Sequence, residues 1–259
     1  MKAKSSQHID YQRIPRSIGA MGKDYPDGYV GKPHSHPRAQ FLYATAGVME
    51  VQTPDTLWVV PPQRALWIPA GTIHETRMRG RVSLRTLYVD TAHCASDAPD
   101  RATAIRVSPL LRELVIRAVE MPVEYELGGR DELVIQLILH EIDWRARPRL
   151  SIARPRDPRL RRIFEGVHNT PADARSLQDW ARIVGASSRT LVRLFRAELG
   201  LSFRDWRQQM RLLAAIPLLT AGTPITKVAG DVGYDTPSGF SLMFRRVMGM
   251  TPSQYLSHR

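Results

Sequence analysis

Short runs typical of β-strands fill the first third of the chain, and helical periods dominate the rest. Between residues 28 and 90, runs rich in valine, leucine, tryptophan and tyrosine are separated by glycine and proline. The runs predicted as strands are 41–45, 48–53, 57–60, 65–68 and 82–89. Their regular spacing without long helices indicates a small β-barrel or jelly roll, a fold that closes its own sheet edges.

Two helices are predicted after these strands. Residues 109–119 follow a capping serine at 108 and carry apolar residues along one helical face. Residues 131–142 are apolar on more than one face, so this helix must be buried on two sides. One side fits its own domain and the other fits a second subunit. The pattern therefore favours a first domain that dimerises.

A helix-turn-helix pattern begins near residue 176. Leu177, Ala181 and Val184 form a helical stripe, and Gly185 ends that helix where a left-handed residue is needed. The Ser187-Ser188 pair caps the helix that follows. A second helix held by such a turn offers its outer face to a DNA major groove.

The same pattern recurs about fifty residues later. Ala229 and Gly233 repeat the spacing of alanine and glycine, and Pro237 fits the first turn of the next helix. A single copy also occurs in ordinary helical hairpins. Two copies in tandem favour a DNA-binding domain.

Positive charge is concentrated in this second region. From residue 159 onward, 15 lysines and arginines stand against 7 acidic residues, a net charge of +8, whereas residues 1–158 have 22 against 18, a net charge of +4. Such an excess is what phosphate binding needs. Residues 145–162 hold eight arginines and three prolines, typical of a solvated linker or of a segment that grips phosphate. We expect a sensor and dimerisation domain at 1–147, a linker at 148–158 and a DNA-binding domain at 159–259.

Other features of the composition narrow the class of protein. The single Cys94 excludes an internal disulfide framework and fits a reducing compartment. No run of eighteen apolar residues occurs, and the first residues lack the apolar core of a signal peptide. We expect a cytoplasmic protein with no membrane partner.

The second region resembles the AraC/XylS family of bacterial transcription regulators across about residues 159–256. The markers are Arg193, Phe195 and the segments 197–200, 211–219 and 244–255. The resemblance implies two helix-turn-helix units, held by a joining helix, that enter successive major grooves. In this chain the joining helix contains Pro217, which is expected to kink or shorten it.

The resemblance also assigns DNA-facing positions. They lie on the two recognition helices and are Ser188, Arg189, Val192, Arg193, Arg196, Thr236, Ser238, Ser241, Leu242, Arg245 and Arg246. Arginine reads guanine with two hydrogen bonds or holds phosphate, and both roles stay open here. Leu242 departs from the arginine that is often found there in the family, which puts base reading by the second unit in doubt.

Residues 25–90 resemble a cupin domain. Gly28-x5-His34-Ser-His36-x3-Gln40-x6-Gly47 is similar to the first cupin motif, with glutamine in place of glutamate, and Pro69-Ala-Gly71-Thr-Ile-His74 is similar to the centre of the second. The resemblance places His34, His36, Gln40 and His74 at metal-ligand positions. Two histidines two apart on one strand would point the same way, and imidazole suits Zn, Ni, Cu or Fe.

Three interpretations of these histidines stay open: a bound divalent metal, a metal-free pocket in which they contact an organic effector, or a purely structural role. Arg38 and Tyr43 lie nearby in the sequence and are candidate effector contacts. An arginine at the mouth of a pocket would favour an anionic ligand, although a solvated arginine fits the sequence equally well.

Together these features predict an α+β multidomain protein, with a cupin-like β-barrel or jelly roll, dimerisation helices and an all-α domain with two helix-turn-helix units. The predicted function is transcription regulation in response to a small-molecule effector, without catalysis. The predicted partners are double-stranded DNA, the effector and a second copy of the chain, with RNA polymerase a further candidate. The alternative is a metal-dependent cupin enzyme, an oxygenase or isomerase, with a DNA-binding regulatory tail.

Overall fold

The chain divides into two compact units. The computed structural model describes residues 5, 7–94, 96–144 and 150–257. The first unit comprises Met1–Thr53 and Val59–Leu150, and the second comprises Pro54–Trp58 and Ser151–Arg259. Of the predicted linker, 148 and 149 lie outside the described residues, whereas 151–153 form a short strand. In the described part of the chain, no helix has the length and apolar character needed to cross a membrane.

An antiparallel sheet organises the first unit. Its strands are β1 (Ile18–Tyr25), β2 (Val30–His34), β3 (Ala39–Gln52), β4 (Thr56–Val60, shared with the second unit), β5 (Arg64–Ile68), β6 (His74–Val89) and β7 (Thr103–Arg106). The long β6 pairs with β1, β2 and β3, and β5 pairs with β3 and β7. The β-rich first domain that the sequence predicts is therefore present.

Two predicted strands, 41–45 and 48–53, are joined in β3. The register of β3 against β6 shifts on both sides of Ala46, so the strand bends and continues. Gly47 follows with a φ of 74°, and a Cβ there would lie 2.5 Å from the carbonyl oxygen of Arg81. Only glycine fits this bulge. Strand β1 lies outside the predicted β-rich region, because its two glycines and two charges hide the alternation.

The two faces of this sheet have different roles. Phe41 and Leu87 lie on the face that packs against α1 (Pro109–Glu120) and α2 (Arg130–Glu141). Their neighbours Gln40 and Tyr88 point the other way and line a cavity. Strand periodicity of two thus separates a hydrophobic core from a pocket. As predicted, the hydroxyl of Ser108 caps α1.

Helices form most of the second unit. They are α3 (Pro158–Asn169), α4 (Leu177–Val184), α5 (Ser188–Leu199), α6 (Phe203–Thr220), α7 (Ile225–Asp231), α8 (Pro237–Met248) and α9 (Pro252–Ser257). A short strand, β8 (Ser151–Ala153), pairs antiparallel with residues 56–58. Pro217 does not end α6, which continues to Thr220, and the expected kink or shortening of the helix stays a prediction.

In the first helix-turn-helix unit, formed by α4 and α5, capping residues fix where each helix begins and ends. Ser176 and Asp179 form a capping box at the start of α4, and Gly185 ends the helix with a φ of 66°. The hydroxyl of Ser187 then accepts from the backbone of Thr190 and caps α5. These elements agree with the predicted pattern.

The second helix-turn-helix unit, formed by α7 and α8, has the same arrangement of a turn glycine and a helix cap, with different residues. Gly233 has a φ of 83° in the turn after α7, and a Cβ there would lie 2.8 Å from the Cα of Ala172. Thr236 caps α8, and Pro237 occupies the first turn, where its missing N–H costs nothing. The Thr236 cap, which the sequence interpretation did not name, fixes the direction of α8.

Candidate histidine site and DNA-facing surface

Three histidines predicted as metal ligands lie together at one end of the sheet. One potential ligand atom from each of His34, His36 and His74 lies within 4.8 Å of the other two. His34 is the last residue of β2 and His74 the first of β6, and the two are paired in the sheet. His36 lies beyond the end of β2 rather than on it. The expectation that both members of the His34–His36 pair lie on one strand is therefore wrong.

Backbone carbonyls orient two of these rings. The Nδ1 of His34 lies 2.7 Å from the carbonyl oxygen of Lys32, and the Nδ1 of His74 lies 3.0 Å from that of Thr72. Because a carbonyl only accepts, each Nδ1 carries a proton, and in the neutral ring the lone pair is then on Nε2. This arrangement is the one that prepares histidine for metal ligation.

The third ring is buried and without a partner. His36 is 4% exposed, and neither of its ring nitrogens has a hydrogen-bond partner among the described residues. Burial, reinforced by neighbouring histidines, lowers the pKa of His36 to about 3. Burial likewise lowers the pKa of His74 to about 4, although the hydrogen bond with the carbonyl of Thr72 acts in the opposite direction. Both rings are therefore neutral at pH 7, the form that binds metals.

Gln40 lines the same cavity as His34 and His74, and a hydrogen bond orients its side-chain amide. Its Nε2 donates to the hydroxyl of Thr86 at 3.0 Å, and that hydroxyl donates to the carbonyl of Phe41 at 3.2 Å. The Oε1 of Gln40 is buried and has no hydrogen-bond partner in the described part of the chain. The residue thus offers a neutral oxygen where the cupin motif has a carboxylate.

The cavity itself has a volume of about 450 Å³, within the usual range for small-molecule sites. Tyrosines and aliphatic side chains form much of its wall, and the charged residues that line it are Lys23 and Lys32. Gln7, His8 and Ile9 complete the wall from the N-terminal side. No motif marks His8 or the two lysines, and the sequence interpretation did not include them in the site.

Arg38 and Tyr43 do not line this cavity. Arg38 is 6% exposed and donates hydrogen bonds to the carbonyls of Gln12, Ile14 and Arg16, so it anchors the chain that precedes β1. Tyr43 lies in the hydrophobic core on the opposite face of β3. The structure gives both residues roles other than the expected contact with an effector.

Helix α5 presents one polar face to solvent. Leu191 and Phe195 are buried on its inner side. The opposite side carries the exposed residues Arg189, Val192, Arg193 and Arg196, with Ser188 half-buried at the start of the helix. Three exposed guanidinium groups on one helix form a surface of the kind that binds the DNA backbone and base edges.

Helix α8 presents a weaker version of this surface. Thr236, Ser238 and Arg245 are exposed, Ser241 is half-buried, and Leu242 is 72% exposed. Arg246 is exposed but donates to the carboxylate of Asp205 and, at 2.8 Å, to the amide oxygen of Gln208. Its guanidinium is thereby tied to α6.

Models of two domain families match the chain. Residues 22–114 match an AraC-like ligand binding domain, and residues 180–258 match a helix-turn-helix domain. The first match contains the four candidate ligands His34, His36, Gln40 and His74, and the second contains both recognition helices. The cupin-type jelly roll of the first unit fits the ligand-binding model.

Two named relatives and one solved structure are similar to this chain. The HTH-type transcriptional regulator NimR of Escherichia coli is 31% identical over 231 residues, 89% of this chain and 84% of that protein. The arabinose operon regulatory protein of E. coli is 34% identical over 107 residues, 40% of this chain and 37% of that protein. Among solved structures, ToxT from Vibrio cholerae aligns over 93% of this chain and 98% of its own with 11% identity and a TM-score of 0.39. On its match to NimR and to both domain models, the chain belongs to the AraC family of DNA-binding transcription regulators with an N-terminal effector-binding domain.

Proposed function

We propose that this regulator reads its operator mainly through α5. The observation that supports this is the exposed face formed by Arg189, Arg193 and Arg196 on a helix whose other side is buried and whose start is capped by Ser187. Helix α8 has Leu242 at its centre, so it contributes contacts with the backbone through Arg245 and the hydroxyls of Thr236, Ser238 and Ser241. Arg246 keeps its bonds to α6 and positions α8, and Ser188 and Val192 contact DNA beside the arginines.

The full-length chain tests this proposal. Genome-wide footprinting of the bound protein would identify an operator, and titration on that operator would show affinity falling steeply as salt rises. Random DNA of the same length is the control, and it should bind more weakly with a similar dependence on salt. A folded protein that binds neither DNA at low ionic strength would refute the proposal.

We further propose that the effector is a small anion with an apolar body. Lys23 and Lys32 supply the positive charge of the cavity, whereas Tyr25, Tyr29 and Tyr88 supply aromatic surface. Thermal shift measurements with aromatic and aliphatic carboxylates, each paired with its neutral amide, would test this. The carboxylates should raise the midpoint of unfolding more than the amides do, and a Lys23→Ala/Lys32→Ala variant should lose that difference.

The donor set at the cavity supports a divalent transition metal. His34, His36 and His74 would supply nitrogen and Gln40 a weaker oxygen, a set that suits Zn, Ni, Cu or Fe. The metal would organise the pocket and attract an anionic effector, and we assign it no reaction. Elemental analysis of protein purified without chelators or a histidine tag should find about one ion per chain. A His34→Ala/His74→Ala variant should lose it, whereas metal-free protein would leave these histidines as polar contacts for the effector.

We also propose that the regulator is a homodimer in the cytoplasm, where it meets DNA and RNA polymerase. Leu110 on α1 and Leu133 and Leu137 on α2 are 48%, 63% and 42% exposed. Apolar side chains so placed are the surface that a second copy would cover. A Leu133→Asp/Leu137→Asp variant should sediment as a monomer, whereas Ile73→Asp, at another exposed apolar position of the same unit, should not.

A further inference from the structure

His8 lies beside the three-histidine site although it is far from it in the sequence. It begins the short 3-10 helix His8–Tyr11. Its ring centroid lies 5.2 Å from that of His34 in a stacked arrangement and 4.8 Å from that of His36 in an edge arrangement. Its Nδ1 is buried and has no hydrogen-bond partner among the described residues.

We propose that His8 is the fourth nitrogen ligand of the metal held by His34, His36 and His74, and that the ion thereby fastens residues 7–11 over the cavity. This inference rests on the metal site proposed above. Four imidazoles around one tetrahedral ion have ring centroids roughly 5 Å apart. Five of the six pairs of rings have centroids 4.5 to 5.4 Å apart. Among the described residues, the group already close enough to share an ion is His34, His36 and His74, so the ring of His8 would move toward His74 when the ion binds.

The chemistry of Gln40 creates the need for such a ligand. A neutral amide oxygen binds a divalent ion more weakly than the carboxylate of the cupin motif would, and this amide is already tied to Thr86. An imidazole from the N-terminal segment restores a fourth strong donor. Ligation would also satisfy the buried Nδ1 of His8, which has no hydrogen-bond partner in the described part of the chain, and an unsatisfied buried polar atom is costly.

The segment that carries His8 is anchored close to the site. Tyr11 is 1% exposed and its ring stacks 6.2 Å from that of Tyr88, which lines the cavity. The Nε2 of Gln12 donates to the carbonyl of His8 at 3.0 Å. Arg38 in turn holds the carbonyl of Gln12 at 3.2 Å. His8 is therefore brought to the other rings by contacts that need no metal, and ligation would complete the closure of this wall.

Cobalt titration of the full-length protein tests the proposal, because the visible absorption of Co²⁺ reports its coordination. The wild type should bind one Co²⁺ per chain. The His8→Ala variant should bind it at least about tenfold more weakly and with a changed spectrum, since even residues that only orient ligands change affinity by roughly that factor. His93→Ala, an exposed histidine of the same unit, is the matched control and should behave as the wild type.

Trypsin provides a second readout at the exposed Arg13. Co²⁺ should slow cleavage there in the wild type and in His93→Ala but not in His8→Ala. A His8→Ala/Gln40→Glu variant should regain affinity for Co²⁺ without regaining this protection, because its new carboxylate comes from β3. Circular dichroism would confirm that each variant is folded.

Two results would overturn the proposal, and they have different consequences for the metal site. If His8→Ala binds Co²⁺ with unchanged affinity and spectrum, His8 is no ligand and the three-histidine site stands alone. If the wild type itself fails to bind Co²⁺, the metal site and this inference fail together. Operator binding, measured separately, would show whether the proposed DNA-reading function survives either result.

Discussion

The amide Nε2 of Gln40 donates a hydrogen bond of 3.0 Å to the hydroxyl of Thr86. Because the hydroxyl of Thr86 donates its proton to the carbonyl oxygen of Phe41, it acts as the acceptor in its hydrogen bond with Gln40. These two bonds keep the amide nitrogen of Gln40 toward Thr86, and the amide oxygen has no hydrogen-bond partner among the described residues. This bond decides what Gln40 offers to a ligand in the cavity.

A Gln40→Glu substitution should strengthen metal binding. A charged carboxylate is a better ligand than an amide oxygen, so the affinity for Co²⁺ should rise by about tenfold or more at pH 7. Competition against a chelator of known affinity measures the change. Gln52→Glu, on the same strand but away from the cavity lining, is the control. Equal affinities for both variants would remove residue 40 from the ligand set.

Gly166 should resist substitution more than a helical glycine normally does. A Cβ at this position in α3 would lie 2.4 Å from Cη2 of the buried Trp180. Alanine favours helix by about 1 kcal/mol over glycine, but overpacking in a core typically costs about 1–3 kcal/mol. We expect Gly166→Ala to lower the free energy of unfolding by up to about 2 kcal/mol in urea titrations.

Gly230 supplies the matched comparison. It is also helical, and a Cβ there would meet no atom within 4 Å. Gly230→Ala should therefore raise the free energy of unfolding by about 0.5–1 kcal/mol. Stabilisation by both substitutions would show that the contact with Trp180 does not constrain α3.

The helix-turn-helix units were predictable because their signals are local. Ser187 and Gly185 define the first turn within three residues, and Pro237 marks the start of α8. Capping and left-handed glycine depend on the backbone of near neighbours only. A short stretch of sequence therefore contains all the residues needed to predict where these helices begin and end.

The cavity was predictable only in part. His34, His36 and His74 came from a motif, but His8 reaches them through the fold of the N-terminal segment. Likewise, the partners of Arg38 lie between 22 and 26 residues earlier in the chain, at Gln12, Ile14 and Arg16. Because no short-range pattern records such contacts, the sequence left Arg38 as either a candidate effector contact or a solvated side chain, whereas the structure shows a buried arginine that anchors the preceding segment.

Protonation of the histidine site should destabilise the metal-free protein. The pKa values of His36 and His74 are lowered to about 3 and about 4, mainly by burial, whereas in the unfolded chain both lie near 6.5. Between pH 6.5 and 4 the unfolded state therefore binds more protons than the folded state. The free energy of unfolding should fall as the pH drops through this window, by up to about 2.7 kcal/mol per unit for two protons.

Urea unfolding in the presence of a chelator at pH 7.5, 6.5, 5.5 and 4.5 would measure this slope. A His36→Gln/His74→Gln variant removes both groups and should show a much flatter dependence on pH. An unchanged slope in that variant would mean that other groups control the response to acid.

Arg193 on α5 should contribute specificity, because it is exposed and lies beside Val192 in the middle of the exposed face of α5. If its guanidinium grips a guanine through two hydrogen bonds, Arg193→Ala should cost about 1–3 kcal/mol on the operator and leave binding to random DNA nearly intact. Leu242→Ala on α8 should change the ratio of specific to random binding much less, since leucine has no donor for a base edge. Fluorescence anisotropy at one fixed salt concentration compares the two variants on both DNAs. A loss for Arg193→Ala that is equal on operator and random DNA would place this arginine against phosphate and leave the reading of bases to its neighbours on α5.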